Sequence, residues 1–339
     1  MISSRNSRFY GRKQLLFVVS SVTIAYISTC ILLFLGQRYL LYRPKPELAM
    51  LPNATAFNLP YEDVWIPIAG SHDRLHGWWI PSPSKHDRYA VIPGEPANVL
   101  SAPNVMLYFC GVGRNMGDYN YLARVAAFHQ LGFSVFVVDY RGYGRSEGLF
   151  PSEPQVYEDS QAAWSYLREI RHLPPEQILL YGESLGGAIA LDLAVRHPEA
   201  EGLIMQSSFT SMSEVVERRQ FLRFFPVNWL LTERFDSLSK VRSLRIPILF
   251  LHGTADSVIP PEMSQRLYAA APPPKQLFFI AGAEHVRLYQ PGAQSYLRAI
   301  QRFVEFLLPR DGGRQLSTLP ESKIAPSLST ARSPIYYQQ

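Results

Sequence analysis

Between Val105 and Ile280 the chain carries a series of short, unbroken apolar runs. They read VMLYF over Val105–Phe109, SVFVVD over Ser134–Asp139 and ILLY over Ile178–Tyr181, with others at Leu203–Gln206, Pro247–Leu251 and Gln276–Ile280. A strand that is apolar at every position, not at every second one, has to be covered on both faces. Segments with helical spacing separate these runs at Tyr119–Gln130, Pro154–Arg171 and Leu185–Arg196, and a last one follows at Ala293–Leu308. That alternation predicts a mostly parallel, doubly wound α/β sheet with helices on both sides. Asp63–Ile68 and Leu75–Ile80 read as a short hairpin that opens it. In such a sheet the site forms beyond the carboxyl ends of the strands. The insert Pro81–Pro103 joins the second strand to the third; if those two run antiparallel, it emerges at the opposite end.

Ahead of the sheet lies QLLFVVSSVTIAYISTCILLFL, Gln14–Leu35, which is 22 residues without a charge. As a helix it measures about 33 Å, against about 30 Å of bilayer hydrocarbon. It has no polar stripe, and its Ser and Thr hydroxyls can return to the helix backbone. A cleaved signal peptide has a shorter apolar stretch, about 7–15 residues, and a small-residue cleavage site; here GQRYLLYRPKPE follows. Residues 14–35 are therefore expected to be an uncleaved, single-pass transmembrane helix. Arg5, Arg8, Arg12 and Lys13 before the span outweigh Arg38, Arg43 and Lys45 after it, which favours a cytoplasmic N-terminus with the globular domain on the opposite side. The sequon Asn53-Ala54-Thr55 fits a lumenal domain. Residues 1–13 then form a basic flank, 36–60 a proline-rich linker, 61–308 the α/β domain and 309–339 a disordered tail. The net charge of +5 is scattered, with no basic run, so nucleic acid is not an expected partner and a membrane is. Cys30 and Cys110 fall in separate parts of the chain and build no disulfide framework.

The pattern Gly-x-Ser-x-Gly occurs twice, around Ser146 and around Ser184. A nucleophilic serine on this architecture needs a sharp turn between a strand and a helix, with glycines where the backbones crowd. Ser184 meets the requirement: ILLY runs straight into it and LGGAIALDLAV continues as an apolar-faced helix. Ser146 is followed by Leu-Phe-Pro-Ser-Glu-Pro, a proline loop where the helix should begin, and is read as structural. A serine hydroxyl needs an adjacent base. Of eight histidines, His285 follows the last predicted strand, and His252 at a strand end reads as a packed core residue. Asp256, in the loop after the penultimate strand, is placed to orient the base, which leaves one helix and one strand between acid and base. Glu284 reads as a solvated neighbour of the histidine, and Asp236 as a helix cap. The backbone N–H of Leu185, after the serine, and of Val112, after the Val105–Phe109 strand, are the expected donors to an oxyanion. No metal or organic cofactor is implied, because phosphate loops, dinucleotide fingerprints and Cys/His clusters are absent from the sequence.

Taken together, VVDYRGYGRSEG, YGESLGGAIAL, FLHGTADSVIP and AGAEH resemble the α/β-hydrolase superfamily over about residues 60–308. The likeness is to its serine-aminopeptidase-like branch with small lids, which includes fungal bud-emergence proteins and membrane-anchored α/β-hydrolase-domain proteins. The resemblance implies an α/β-hydrolase fold with a short helical lid, preceded by one transmembrane helix, and Ser184, Asp256 and His285 as a catalytic triad. Two positions depart from it: Cys110-Gly111 stands where such proteins carry His-Gly, and Val286 where an Asn often follows the histidine. Cys110 is read as a buried strand-end residue, not a second nucleophile. Residues 209–240, rich in aromatic and basic side chains, read as the lid, with Phe221, Phe224, Phe225 and Trp229 packed over the site. The alternative is that part of this lid touches the bilayer. The expected substrate is an acyl-containing small molecule or lipid-like ester, thioester or amide. Acyl transfer to another acceptor, or a catalytically silent interaction module, remains open from sequence.

Overall fold

The computed structural model describes residues 3–83, 105–289 and 294–307, with side chains from Gln14 onward. Its first element is α1 (Ser3–Tyr42), followed by an antiparallel pair, β1 (Glu62–Pro67) and β2 (Arg74–Ile80). Then come β3 (Val105–Phe109), α2 (Tyr119–Gln130), β4 (Ser134–Val138), α3 (Glu153–Ser165), β5 (Ile178–Glu183), α4 (Leu185–Arg196) and β6 (Gly202–Gln206). The lid region contributes α5 (Met212–Glu217), α6 (Val227–Leu230) and α7 (Ser237–Lys240), after which β7 (Ile248–Gly253), α8 (Pro261–Ala270), β8 (Lys275–Ile280) and α9 (Gln294–Leu307) complete the order. The strands form one eight-stranded sheet, β1-β2-β4-β3-β5-β6-β7-β8, parallel from β4 to β8.

Every residue of β3, β4, β5, β6 and β7 is buried, as unbroken apolar runs require. Alternate side chains feed two separate apolar clusters. Leu107, Leu180 and Phe250 face the cluster under α3 and α4, while Tyr108, Tyr181 and Leu251 face the one under α2 and α9. Each such side chain contributes roughly 1.5–3 kcal/mol of burial. β2 runs against β4 and ends at Ile80 opposite Val135, so the connection to β3 leaves at the end of the sheet away from the parallel strands' carboxyl ends. Residues 84–103 of that insert, and the expected tail 309–339, lie outside the described residues. The helix expected over Pro154–Arg171 starts behind a Ser152–Gln155 capping box and widens into π turns over Tyr166–Ile170.

The segment read from sequence as a linker, 36–60, is instead seated on the domain. α1 continues through it to Tyr42, whose side chain is fully buried in the core cluster. The Tyr42 hydroxyl donates to Glu233 at 2.8 Å, and Arg38 Nε reaches the same carboxylate at 3.1 Å. The backbone N–H of Glu153 also donates to it, so one buried acid joins the end of α1, the start of α3 and the lid. Beyond Tyr42, Leu48, Met50, Leu51 and Phe57 pack against the second cluster and Leu59 is buried within it. Proline-rich sequence describes how this strap is extended; it does not reveal that its carbonyls have partners across the chain.

Replacing Glu233 with Ala leaves the Tyr42 hydroxyl and the Glu153 N–H without their buried acceptor. The expected loss is about 2–3 kcal/mol of unfolding free energy, read from denaturant titration of the full chain in detergent.

Candidate functional site

The carboxyl end of β5 turns into α4 through a single residue, Ser184, with φ 55° and ψ −121°. That left-handed backbone costs a non-glycine residue on the order of 1–3 kcal/mol and persists only where its surroundings hold it. Here its N–H donates to Gln206 O at 2.8 Å, and its carbonyl accepts from Gly187 N and Ser208 Oγ at 3.1 and 2.9 Å. The turn is tight enough that a Cβ on Gly182 would strike the Gly186 backbone, and one on Gly186 would strike the carbonyls of Phe109 and Cys110. These two glycines of the motif are therefore dictated by sterics.

β7 and β8 deliver the other two residues. Asp256 follows β7, with its side chain shielded from solvent; Oδ1 accepts from the Val258 and Ile259 N–H groups at 2.9 and 2.8 Å. Oδ2 accepts from His285 Nδ1 at 2.7 Å, and His285 Nε2 lies 3.1 Å from Ser184 Oγ. With Nδ1–H committed to Asp256, Nε2 is left to accept from the serine hydroxyl. The two loops are tied together by Ala255 N to Ala283 O at 3.0 Å and Gly282 N to Thr254 Oγ1 at 2.8 Å. Burial pushes the Asp256 carboxyl up, but hydrogen bonds from His252, His285 and the Ile259 N–H outweigh it and hold the group well below the usual carboxylate range. It stays ionised wherever a histidine base operates.

Of the two expected oxyanion donors, Leu185 directly follows the serine, and Val112 follows Gly111, which passes beside it. Leu185 opens α4, and Gly111 passes so close that a Cβ on it would sit 3.4 Å from Ser184 Cβ. The strap described above holds this loop from outside: Gly113 N donates to Tyr42 O at 3.0 Å, Asn115 Nδ2 to Lys45 O and Glu47 O at 2.9 and 2.6 Å, and Met50 N to Gly117 O at 3.1 Å. From below, Asp139 Oδ1 accepts from Met116 N at 2.8 Å.

The competing residues fall elsewhere. Ser146 is buried, accepting from His76 N and donating to Asp139 O. Glu284 is exposed, and Asp236 caps α7 by accepting from Ser239 N. Burial pushes the Cys110 thiol far up, which removes it as a nucleophile near neutral pH. His252 is buried as expected, with Nδ1 2.6 Å from Ser264 Oγ, but it also braces Asp256 Oδ2 at 3.2 Å, a role that sequence reading did not assign. Also missed is a buried ion pair between Arg124 and Glu183, bridged by the Tyr108 hydroxyl, directly before the serine. A signal for it exists: Arg124 falls on the apolar stripe of α2 with Tyr121 and Phe128, where a charge needs a partner. Among the described residues, no group of three or more His, Cys, Asp or Glu side chains is gathered as a metal site.

The aromatic residues expected to close over the site do not. Phe221, Phe224 and Trp229 project to the outside, and Phe225 packs on α1.

Residues 101–240 and 232–292 match the family model described as serine aminopeptidase, S33. The chain belongs to that family. It is an α/β hydrolase, similar to an uncharacterised protein of Mycobacterium tuberculosis, 32% identical over 284 residues that cover 83% of this chain and 92% of that protein. It is likewise similar to protein bem46 of Schizosaccharomyces pombe, 30% identical over 256 residues, 73% of this chain and 78% of the other. Among solved structures, an esterase of Pyrococcus furiosus shares the fold with a TM-score of 0.59 at 19% identity, covering 78% of this chain and 97% of that one.

Within this α/β hydrolase, Asp139 offers a test of the loop's support. Burial pushes its carboxyl from the ordinary 3.8 up to about 7, opposed by the Met116 N–H bond, and its Oδ2 has no hydrogen-bond partner among the described residues. A folded-state value above the unfolded one favours the protonated form. The contribution is therefore complete below about pH 4 and is lost as pH rises through about 7. Relative to wild type, Asp139→Asn should gain thermal stability progressively across that window, as read by melting temperature against pH.

Proposed function

We propose that this α/β hydrolase is a membrane-anchored serine hydrolase that cleaves an acyl ester, thioester or amide through an acyl-enzyme. One observation carries the reading: a serine held in a strained backbone has its hydroxyl against a histidine whose other nitrogen is spoken for by a buried carboxylate. Ser184 Oγ attacks the substrate carbonyl while His285 Nε2 takes its proton, and Asp256 stabilises the imidazolium without becoming protonated. The oxyanion that develops is met by the N–H groups of Leu185 and Val112, each worth about 3 kcal/mol where comparable donors have been removed. His285 then returns the proton to the departing alcohol, thiol or amine. Water, activated by the same nitrogen, cleaves the acyl-serine and restores the hydroxyl.

Support for acyl chemistry comes from the chain's family and from the electrostatics of the site. The acid is fixed in its ionised form, and the base faces both the acid and the nucleophile. The preferred substrates are acyl-containing small molecules or lipid-like compounds. On this reading α1 is a single-pass anchor through residues 14–35, its basic N-terminal flank cytoplasmic and the hydrolase domain on the opposite side. The described helix Gln14–Tyr42 is long and apolar enough to cross a bilayer.

A fluorophosphonate probe tests the nucleophile. Wild type should label and Ser184→Ala should not, with turnover of acyl esters lowered roughly 10⁴- to 10⁶-fold. A folded wild type that fails to label would refute the reading, and labelling that survives in Ser184→Ala would move the nucleophile elsewhere. Cys110→Ala should keep labelling and turnover within a few-fold of wild type; loss of both with the fold intact would reinstate the thiol.

A further inference from the structure

The lid extends past the domain and runs along α1. The Phe225 ring stacks on Tyr26 with centroids 5.4 Å apart and 9° between planes, and the Tyr26 hydroxyl donates to Phe224 O at 3.1 Å. Further along, Gln37 Nε2 donates to Leu230 O at 3.2 Å and Gln37 Oε1 accepts from Thr232 N at 2.8 Å. Arg38 then meets Glu233. The two segments thus advance together, from Tyr26 with Phe224 to Tyr42 with Glu233. On the outside of this pairing Phe221, Phe224 and Trp229 are 65%, 68% and 89% exposed, continuous with the exposed apolar surface of α1 itself. Clustered apolar exposure of that kind marks an interaction surface.

Helix geometry identifies what covers it. A helix needs about 20 residues to cross roughly 30 Å of hydrocarbon, and the uncharged stretch available runs from Gln14 to Gln37. Even a window pushed back as far as Lys13 allows leaves Tyr26 about seven residues, roughly 10 Å, inside its end. A lid in contact with Tyr26 lies at that depth too. We propose that the lid segment from Phe221 to Leu230 is seated in the lipid bilayer beside α1, with Phe221, Phe224 and Trp229 among the acyl chains.

The chemistry of the segment suits that place. Backbone in hydrocarbon must satisfy its own hydrogen bonds, and this segment is coiled into helical turns over Leu222–Phe224 and Val227–Leu230. Arg218, Arg219 and Arg223 are exposed around it, and Arg223 stacks over the Phe224 ring at 5.1 Å. Their long stems let guanidinium groups reach phosphates while the chain beneath stays in lipid. The proposal rests on α1 being an anchor, as argued above.

The test uses the full chain reconstituted in phosphatidylcholine vesicles, with a share of the lipid brominated part-way along its acyl chains. Alkaline carbonate extraction comes first, and the chain should stay with the vesicles. Tryptophan emission is then compared with and without bromolipid, in wild type and in Trp229→Phe, a change mild enough to keep the fold. Of the other four tryptophans, Trp78 and Trp164 are buried in the domain, Trp79 is partly buried, and Trp65, 40% exposed, lies on β1 beneath the Arg74 guanidinium and away from the lid. Quenching should therefore be marked in wild type and largely lost in the variant. Equal quenching of the two in vesicle-retained protein would overturn the lid proposal while leaving the anchor intact, and would favour a protein partner for the aromatic patch. Release by carbonate would overturn the anchor and the lid proposal together.

Discussion

A sharp left-handed backbone at Ser184 is the feature around which the carboxyl edge of the sheet is arranged. Fully buried β5 brings the chain to that point, and α4 carries it away; the reversal between them leaves space for hydrogen atoms and little else on Gly182 and Gly186. Gln206 and Ser208, from the end of β6 and the loop after it, fix the backbone of the turn by hydrogen bonds to the Ser184 N–H and carbonyl. Beneath, the Arg124–Glu183 pair is shielded from water and held by Tyr108. Such pairs are weak sources of net stability but costly to break singly. The local strain at the serine is thus carried by interactions from at least four other elements, which is how a conformation of that kind persists.

The boundary between α1 and the hydrolase domain is less distinct in space than in sequence. Tyr42, the last residue of α1, belongs to the hydrolase core, and its carbonyl accepts from the loop that carries Val112. Glu233 gathers donors from α1 and from the start of α3 while sitting within the lid. The helix, the strap after it and the lid are one packed unit, distinct from the picture of a soluble enzyme on a free tether.

What was legible in the sequence was what is decided locally. Unbroken apolar runs gave the strands to within a residue or two, since burial on both faces imposes the same demand at every position. Ser184 was legible because the glycines around it answer a steric requirement inside a few residues, and Asp256 and His285 because chain order brings their loops to the same edge. Residues 44–60 were not: their prolines report an extended backbone, while the partners of Lys45, Glu47 and Met50 lie at Asn115 and Gly117, some seventy residues on. The aromatic residues of the lid were read as facing the site because sequence marks a side chain as apolar without saying which apolar surface receives it. α8 could be placed only between acid and base, its polar face and short length leaving its ends undefined. The bracing of Asp256 by His252 was hidden for another reason: a histidine with two buried hydrogen-bond partners looks, in sequence, like any other packed strand-end residue.

The strap's hydrogen bonds also limit how this chain can change length. A free linker absorbs an inserted residue at little cost, since closure entropy grows slowly with length. Between Tyr42 and Met50 there is no such slack. Tyr42 O, Lys45 O, Glu47 O and Met50 N each meet a fixed partner in the stretch from Gly113 to Gly117. An insertion or deletion there would put every later contact out of register with the loop beside the serine. The spacing between α1 and the hydrolase sheet is therefore set as rigidly as a hairpin's register.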